Sequence, residues 1–350
     1  MKRTIAAVLT LIAASTSGAA TPLAMAQRPV LIHLATVAPK GSEWELTLRE
    51  MGARWQEATA GAIRLRVHAG GGIGDESEVI RTMRVAGLTG RGLNAAAISN
   101  DGLADIEPAA FALNLPLVFD SYEEWDFVRR HVNPILEKRL EEKGFIVLAW
   151  SDVGWVHFFS REPLHHPDQL REWKLAASAT DTDQVDLLKS LGFNPVPTTQ
   201  DDLFPALETG RVDVLYLPII FAEATQIFRH VGNMTALAWA PLQGAIVVHK
   251  GTWDGVAPEY RDAMRRISRE IGDQLRADNR DHERRSLEAM LRNGLNQVEV
   301  DDDDAAAWKR LTEDNFDKIR GKLVDEEMFD LVIELRDEYR ASTTRSGAER

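Results

Sequence analysis

Residues 170–218, LREWKLAASATDTDQVDLLKSLGFNPVPTTQDDLFPALETGRVDVLYLP, decide the fold of this chain. Short apolar runs at 174–178, around 195–197 and at 212–217 predict three strands. Between them, the patterns at 181–191 and 200–209 predict helices. These end at Gly192 and Gly210, and glycine is common just past the C-terminus of a helix. The stretch therefore predicts one βαβαβ unit.

The N-terminal part of the chain predicts a second unit of the same kind. Residues 30–37 (VLIHLATV) form an apolar run typical of a buried strand, and Ser42 with Glu45 makes a capping box that begins a helix. A strand at 63–69, a helix at 75–86 and a strand at 93–99 follow. Because strands and helices alternate, the sequence predicts an α/β protein rather than separate all-β and all-α blocks.

Two segments are long enough to connect the two units. Residues 145–160 (FIVLAWSDVGWVHFFS) predict an unusually long strand with Gly154 in its middle. The pattern from Pro258 to Asn293 predicts a helix of roughly 54 Å at a rise of about 1.5 Å per residue. We expect each βαβαβ unit to form one lobe, and this helix is longer than a single lobe. The predicted organisation is a lobe I at 27–150 with a returning segment at about 240–256, a lobe II at 151–239, a lobe-spanning helix at 257–294, C-terminal helices at 295–341 and a disordered tail at 342–350.

The first residues predict export. Lys2 and Arg3 precede an apolar run at 5–20, and the small-residue pattern Ala24-Met25-Ala26 follows, as in a secretory signal peptide at 1–26 cleaved after Ala26. The chain contains no cysteine, so neither a disulfide framework nor a lipid-anchored cysteine is expected. The formal net charge of -13 argues against nucleic acid and anionic lipid as partners. We expect a periplasmic protein.

The sequence contains few signals of catalysis. Neither a G-x-S-x-G elbow nor an H-E-x-x-H motif is present. The His165-His166 pair lies in a proline-flanked loop without spaced carboxylates, and the acidic run 301–304 lacks the alternating ligands of a calcium loop. That run precedes a predicted helix, where carboxylates complement the dipole. We expect no enzyme activity, no catalytic residues, no metal and no cofactor.

Several pieces in fixed order resemble the DctP family, the solute receptors of tripartite ATP-independent periplasmic (TRAP) transporters. They are LPLVF at 115–119 before SYEE at 121–124, LGFNPVP at 191–197, LETGRVD at 207–213 and the long helix after Trp253. The resemblance implies a two-lobed periplasmic binding protein of type II-like fold. Such a receptor closes over a small molecule and delivers it to TRAP membrane subunits.

The charged clamp of that family is missing from this sequence. Where carboxylate-binding relatives carry an arginine and an asparagine, the chain has Ala176 and Leu217, with Tyr216 beside the latter. We therefore expect a hydrophobic ligand, apolar or amphipathic. The segments 151–155 (SDVGW) and 239–244 (WAPLQG) also resemble a DctP subgroup associated with a helical-repeat (TPR) periplasmic lipoprotein, which would be a further partner.

The predicted ligand-binding residues are residues at the ends of the first and third strands, aromatic and apolar residues expected in the cleft, and two polar residues that could orient a ligand. They are Thr36, Ser99, Asn100, Trp150, Trp155, Ser178, Tyr216, Leu217, Phe221, Trp239 and Gln243. Two other functions stay open. The receptor could hold an organic acid through another cation, with Arg81, Arg84, Arg91 and Arg161 as candidates. It could instead be an ABC-type binding protein, since these share the two-lobed design.

Overall fold

The computed structural model describes residues 29–89, 92–179, 182–199 and 201–348. The predicted signal peptide at 1–26 and Arg91 lie outside these ranges. Cleavage after Ala26 stays a prediction, and so does the division into lobes.

The strands described form one mixed sheet. They are β1 (Val30–Ala35), β2 (Ile63–His68), β3 (Ala95–Ser99), β4 (Phe145–Ser160), β5 (Lys174–Ser178), β6 (Asn194–Thr198), β7 (Val214–Pro218), β8 (Asn233–Thr235), β9 (Ala240–His249) and β10 (Asn296–Val298). Their order is β2-β1-β3-β9-β4-β7-β5-β6, with β8 paired to β4 and β10 paired to β8.

Each predicted βαβαβ unit forms one section of this sheet. In the first section, β1 lies parallel to both β2 and β3. In the second section, β5 lies parallel to both β6 and β7. The antiparallel strands β9 and β4 lie between the two sections. The α/β class predicted from the alternating pattern is confirmed.

Strand β4 passes from one section of the sheet to the other. It pairs with β9 from Phe145 to Val156, and its last residues pair with β7. The register shifts between Asp152 and Gly154, and Gly154 has a φ of 120°. Residues with a side chain rarely adopt this backbone conformation, so glycine is favoured at the bulge. The glycine-interrupted strand predicted from the sequence is thus confirmed.

The helices described are α1 (Glu43–Ala58), α2 (Glu76–Thr89), α3 (Asn100–Ala104), α4 (Tyr122–Glu142), α5 (Gln169–Glu172), α6 (Thr182–Ser190), α7 (Leu203–Glu208), α8 (Ile219–Ala224), α9 (Phe228–Val231), α10 (Lys250–Asp254), α11 (Pro258–Arg292), α12 (Asp302–Glu313), α13 (Phe316–Ile319) and α14 (Glu326–Ala348). A 3-10 helix spans Pro108–Asn114. Half of the predicted capping box at the start of α1 is present: the Ser42 hydroxyl accepts a hydrogen bond from the Glu45 amide, but the Glu45 carboxylate accepts one from the Gly41 amide and not from Ser42.

The long helix α11 packs against β4, α1 and α8. It contains 35 residues, which corresponds to about 53 Å. Gly272 lies where the helix meets the crossing strand, and a Cβ atom there would come within 2.5 Å of the Trp150 carbonyl oxygen. The absence of a side chain at this position therefore allows the close approach of α11 to β4.

Some element boundaries differ from the sequence prediction. After β7 the chain forms two short helices, α8 and α9, separated by Gln226 with a φ of 57°. The region 295–341, predicted to contain the C-terminal helices, begins with the short strand β10 and continues with the separate helices α12 and α13. Helix α14 continues to Ala348, into the segment that was predicted to be a disordered tail. Its packing on α4 and on the 3-10 helix extends the ordered C-terminal region.

Candidate ligand-binding site

A cavity of about 440 Å³ lies where the ends of several parallel strands meet. Thr36 follows β1, Ser99 ends β3, Ser178 ends β5 and Leu217 lies at the end of β7. In open α/β sheets, ligands bind at the carboxyl ends of the strands. Both sections of the sheet therefore contribute to one cavity, in the place that this rule predicts for a ligand.

The wall provided by the second section is mainly apolar. Ala176 and Leu217, the two positions that lack the charged clamp, both line the cavity, and Leu203, Ile220 and Phe221 lie on the same side. Among the described residues that line the cavity, none is a lysine or an arginine. A carboxylate at this wall would therefore have no charged partner from these residues.

The first section contributes acidic side chains, and one of them is already engaged. Glu76 accepts hydrogen bonds from the Ser99 amide at 2.9 Å, the Ser99 hydroxyl at 2.7 Å and the Gly102 amide at 3.0 Å. Desolvation raises the pKa of the Glu76 carboxyl, although these hydrogen bonds act in the opposite direction. Glu76 thus holds the β3–α3 junction in shape, which orients Ser99 at the edge of the cavity.

Other carboxylates at this end of the cavity also have partners. The lining includes Glu43, Asp75, Asp101 and Asp105. The Glu43 carboxylate oxygen Oε2 lies 3.2 Å from Nδ1 of His282 in α11, and His282 lines the cavity as well. We therefore regard these groups as part of the cavity's polar edge and not as a separate ion site.

Tyr216 forms part of the lining beside Leu217. Its hydroxyl donates a hydrogen bond to the Gln184 side-chain oxygen, and its ring lies against Phe158 at 6.2 Å between centroids. Gln184 lines the cavity too. This contact connects α6 to β7 and places an aromatic ring with its polar end in the cavity.

Six of the predicted ligand-binding residues line the cavity: Thr36, Ser99, Ser178, Tyr216, Leu217 and Phe221. Asn100 and Gln243 do not line it, because both are buried and their side chains form hydrogen bonds within the protein. The Asn100 amide nitrogen donates to the Ala110 carbonyl, and its oxygen accepts from the Gln243 backbone amide at 3.0 Å. The Gln243 side chain donates to Asn133. These two residues support the sheet behind the cavity.

The three predicted tryptophans lie outside the lining. Trp239 packs in a buried aromatic cluster with Phe158 and Trp308, at 5.2 and 5.8 Å between centroids. Trp155 is buried against Tyr122. Trp150 donates its indole hydrogen to Glu137 at 2.7 Å, in a smaller groove beside α11. The structure thus places all three predicted tryptophans in packing contacts outside this cavity.

The arginines that were candidates for binding a carboxylate, as far as the structure describes them, do not line the cavity and interact with other groups. Arg81 pairs with Glu78, Arg84 donates to the Asp105 carbonyl oxygen at 2.8 Å, and Arg161 donates to the Leu207 carbonyl oxygen. Arg91 lies outside the described residues.

The cavity also includes residues that were not predicted from the sequence, mainly Trp44, Val153, Leu242 and His282. Trp44 carries a signal only as part of the apolar face of α1, and His282 is distant in sequence from every other lining residue.

The described residues contain no group of three or more histidine, cysteine, aspartate or glutamate side chains that could hold a metal ion. His165 interacts with the Glu299 carbonyl oxygen. The Asp301 carboxylate accepts a hydrogen bond from the Asp304 amide at the start of α12, in the helix-capping role predicted for the acidic run.

The fold and the cavity define a bacterial solute-binding protein. The family model for DctP, described as bacterial extracellular solute-binding protein, family 7, matches residues 34–322, and the chain belongs to this family. It is 24% identical to the 2,3-diketo-L-gulonate-binding periplasmic protein YiaO of Escherichia coli K12 over 247 residues, which cover 69% of this chain and 73% of YiaO.

Solved structures of TRAP solute-binding proteins share the fold. The sugar acid binding protein DctPAm from Advenella mimigardefordensis, in complex with galactonate, matches with a TM-score of 0.80 and 17% identity, covering 89% of this chain and 99% of that chain. A TRAP protein from Sulfitobacter sp. NAS-14.1 with bound β-D-galacturonate matches with a TM-score of 0.78 and 21% identity, covering 88% and 99%. The predicted fold class is confirmed.

These neighbours contradict the prediction of a hydrophobic ligand, because the solutes bound to them are sugar acids. The apolar side chains of the cavity wall were not sufficient evidence for a hydrophobic ligand, since pockets for small molecules are mostly apolar and keep only a few polar groups for orientation.

In the part of the chain that the structure describes, no helix is long and apolar enough to cross a membrane.

Proposed function

We propose that the chain is the periplasmic receptor of a TRAP transporter and that it captures a small solute of the sugar acid class in the cavity between the two sections of its sheet. The observation that carries this proposal is the convergence of Thr36, Ser99, Ser178 and Leu217 on one cavity. The sugar acids bound by proteins of the same fold support the solute class.

The solute is held without the arginine and asparagine that many relatives use. Thr36, Ser178 and Gln184 supply hydroxyl and amide groups at the cavity, while Tyr216 and Phe221 supply ring surface. A sugar acid has both hydroxyl groups and C–H faces, so it can use each kind of group. Its carboxylate then depends on donors without a charge of their own, which bind it more weakly than a bidentate arginine does.

The remaining parts of the proposal concern where the receptor acts. We propose that residues 1–26 direct export and are removed after Ala26, and that the receptor delivers its solute to TRAP membrane subunits. A TPR periplasmic lipoprotein is a further proposed partner, supported by the segments 151–155 and 239–244. The family and fold are those of solute-binding receptors. We propose no catalytic step.

Thermal-shift screening and calorimetry test the proposed solute class. We expect D-galacturonate, D-glucuronate or L-gulonate to raise the melting temperature of the purified receptor. Phe221→Ala should weaken the binding of the compound found by about tenfold, because the half-buried ring lines the cavity and offers the solute a large contact area. Phe127→Ala is the matched control, since Phe127 packs on His131 and Tyr339 away from the cavity.

Two results would contradict different parts of the proposal. If none of these acids raises the melting temperature but another compound does, the receptor role stands and the solute class is wrong. If Phe221→Ala and Phe127→Ala have the same effect on binding, the cavity is not the site of capture.

A further inference from the structure

Trp44 is a cavity-lining residue that is fixed in place from two sides. Its indole nitrogen donates a hydrogen bond to the Asn279 side-chain oxygen at 3.1 Å, across the contact between α1 and α11. The ring also lies close to Gly244 of β9, where a Cβ atom would come within 3.0 Å of the indole. The indole therefore occupies space that any other residue at position 244 would take.

Asn279 connects this tryptophan to the crossing strand. It is 3% exposed, and its amide nitrogen donates to the carbonyl oxygen of Asp152, the residue at which the register of β4 shifts. Both ends of the Asn279 amide are thus used, one toward the cavity and one toward the bulge. A movement of either partner would leave a buried polar group without a hydrogen bond, which is costly.

Helix α11 holds the bulge at further points. The Arg280 guanidinium donates to the buried Asp152 carboxylate at 2.8 Å. Glu283, one turn after Asn279, accepts a hydrogen bond from the Trp155 amide at 2.7 Å. The same face of the helix therefore grips the strand on both sides of Gly154. A change at Asn279 acts on a segment of β4 that this helix already holds.

A second contact joins α1 to α11 at the same end of the cavity. Glu43, next to Trp44, lies 3.2 Å from His282, and both of these residues line the cavity. The start of α1 is thus attached to the long helix by two neighbouring residues. This arrangement makes the Trp44 side of the cavity a part of the helix–strand junction.

We infer that Trp44 contacts the captured solute and that Asn279 is a positioning residue, which sets the orientation of the indole and couples it to the bulge in β4. The inference rests on the proposed function, because it assigns a role in the same cavity. A solute in contact with the indole stabilises the Trp44–Asn279 hydrogen bond and, through it, the conformation of residues 152–155.

The test compares three variants by calorimetry with D-galacturonate and L-gulonate and by hydrogen exchange of residues 152–156 in the protein without added solute. Trp44→Phe keeps a ring but removes the indole donor, and Asn279→Leu removes the connecting amide. Trp55→Phe is the matched control, because Trp55 also lies on α1 and donates its indole hydrogen to α11, at the Met264 carbonyl oxygen, away from the cavity.

We expect Trp44→Phe and Asn279→Leu each to weaken solute binding by about tenfold and to speed exchange at 152–156. Trp55→Phe should lower the melting temperature without either effect. The inference is overturned if a folded Asn279→Leu variant binds and exchanges as the parent does, or if Trp55→Phe reproduces both changes. Where Asn279→Leu does not fold, Trp44→Phe alone decides, by the same two measurements.

If neither acid binds the parent protein, the proposed solute class fails, and the exchange measurement still tests the connection from Trp44 to the bulge. If an acid binds and Trp44→Phe leaves its dissociation constant unchanged, Trp44 is not a contact residue and the inference fails while the proposed function stands.

Discussion

At the scale of single residues, the exchange of two side chains changes what one wall of the cavity can bind. Ala176 and Leu217 are the positions at which the family resemblance predicts an arginine and an asparagine, and both line the cavity. An apolar side chain at these positions gives contact area but no hydrogen bond. The rest of the lining must therefore supply the polar contacts of the solute.

Restoring the two missing side chains should strengthen the binding of an acid. In the double variant Ala176→Arg, Leu217→Asn, hydrogen bonds to a charged group contribute about 1.5 to 3 kcal/mol each. We expect the affinity for D-galacturonate to rise at least tenfold, with little change for the neutral sugar D-galactose, both measured by calorimetry. An equal change for the acid and the neutral sugar would show that the new arginine does not reach the carboxylate.

The sequence predicted cavity residues best where a motif located them. Ala176, Ser178 and Leu217 were identified from their positions in a pattern, and all three line the cavity. Trp150, Trp155 and Trp239 were predicted as aromatic residues of the cleft, and they do not line it, whereas Tyr216 and Phe221, predicted on the same ground, do. Residue type does not determine the direction of a side chain, and a tryptophan can face the core as readily as a ligand. Trp44 was missed because the sequence shows it only as part of the apolar face of α1.

At the scale of elements, the contact between the long helix α11 and the strand β4 controls how the two sections of the sheet are joined. The helix approaches the strand closely at Gly272, where a Cβ atom would lie 2.5 Å from the Trp150 carbonyl oxygen and 2.9 Å from Ala149. Backbone atoms cannot yield as the end of a flexible side chain can. The glycine is therefore required by packing and not by its own dihedral angles.

Gly272→Ala should destabilise the protein although alanine is the better helix former. We expect a loss of about 1 to 3 kcal/mol in the free energy of unfolding, because the added methyl group overpacks the contact. Ala277→Gly, on the exposed face of the same helix, gives the cost of helix propensity alone, about 1 kcal/mol. Urea denaturation measures both. A gain in stability for Gly272→Ala would mean that the helix lies farther from the strand.

Long elements were predicted better than short ones. The helix α11 and the strand β4 each carry a pattern over many residues, and both were expected close to their observed bounds. Strands β8 and β10 have three residues each, too few to show a period. They form because the chain after α11 returns beside Asn233, which is a consequence of tertiary packing. The break between α8 and α9 at Gln226 also has no local signal, since glutamine rarely adopts a positive φ.

At the scale of the whole molecule, one buried histidine is expected to affect stability in acid. His157 of β4 is buried, and its ring nitrogen interacts with the Thr235 carbonyl oxygen at 3.0 Å. Burial lowers the pKa of His157 to about 4, although contacts with backbone carbonyl groups act in the opposite direction. The folded protein thus keeps this imidazole neutral at a pH where the unfolded chain takes up a proton.

The sign of the pH dependence follows from this difference. Between pH 6.5 and about 4 the unfolded chain binds more protons at this histidine, so stability falls as the pH falls through that range. The loss amounts to about 3 kcal/mol at most. Denaturation at several pH values should show a shallower decline for His157→Gln, with His131→Gln as the control for loss of an exposed imidazole. An unchanged decline in His157→Gln would contradict this assignment.

Among the described residues, the strands β4 and β9 and the helix α11 run between the two sections of the sheet. They lie side by side, with β9 paired to β4 and α11 packed on β4. Sliding one section along the other would break the β4–β9 ladder and the helix–strand contact together. A rotation of one section relative to the other would keep most of both contacts. We therefore expect any change in the width of the cavity entrance to come from such a rotation, which leaves each wall intact.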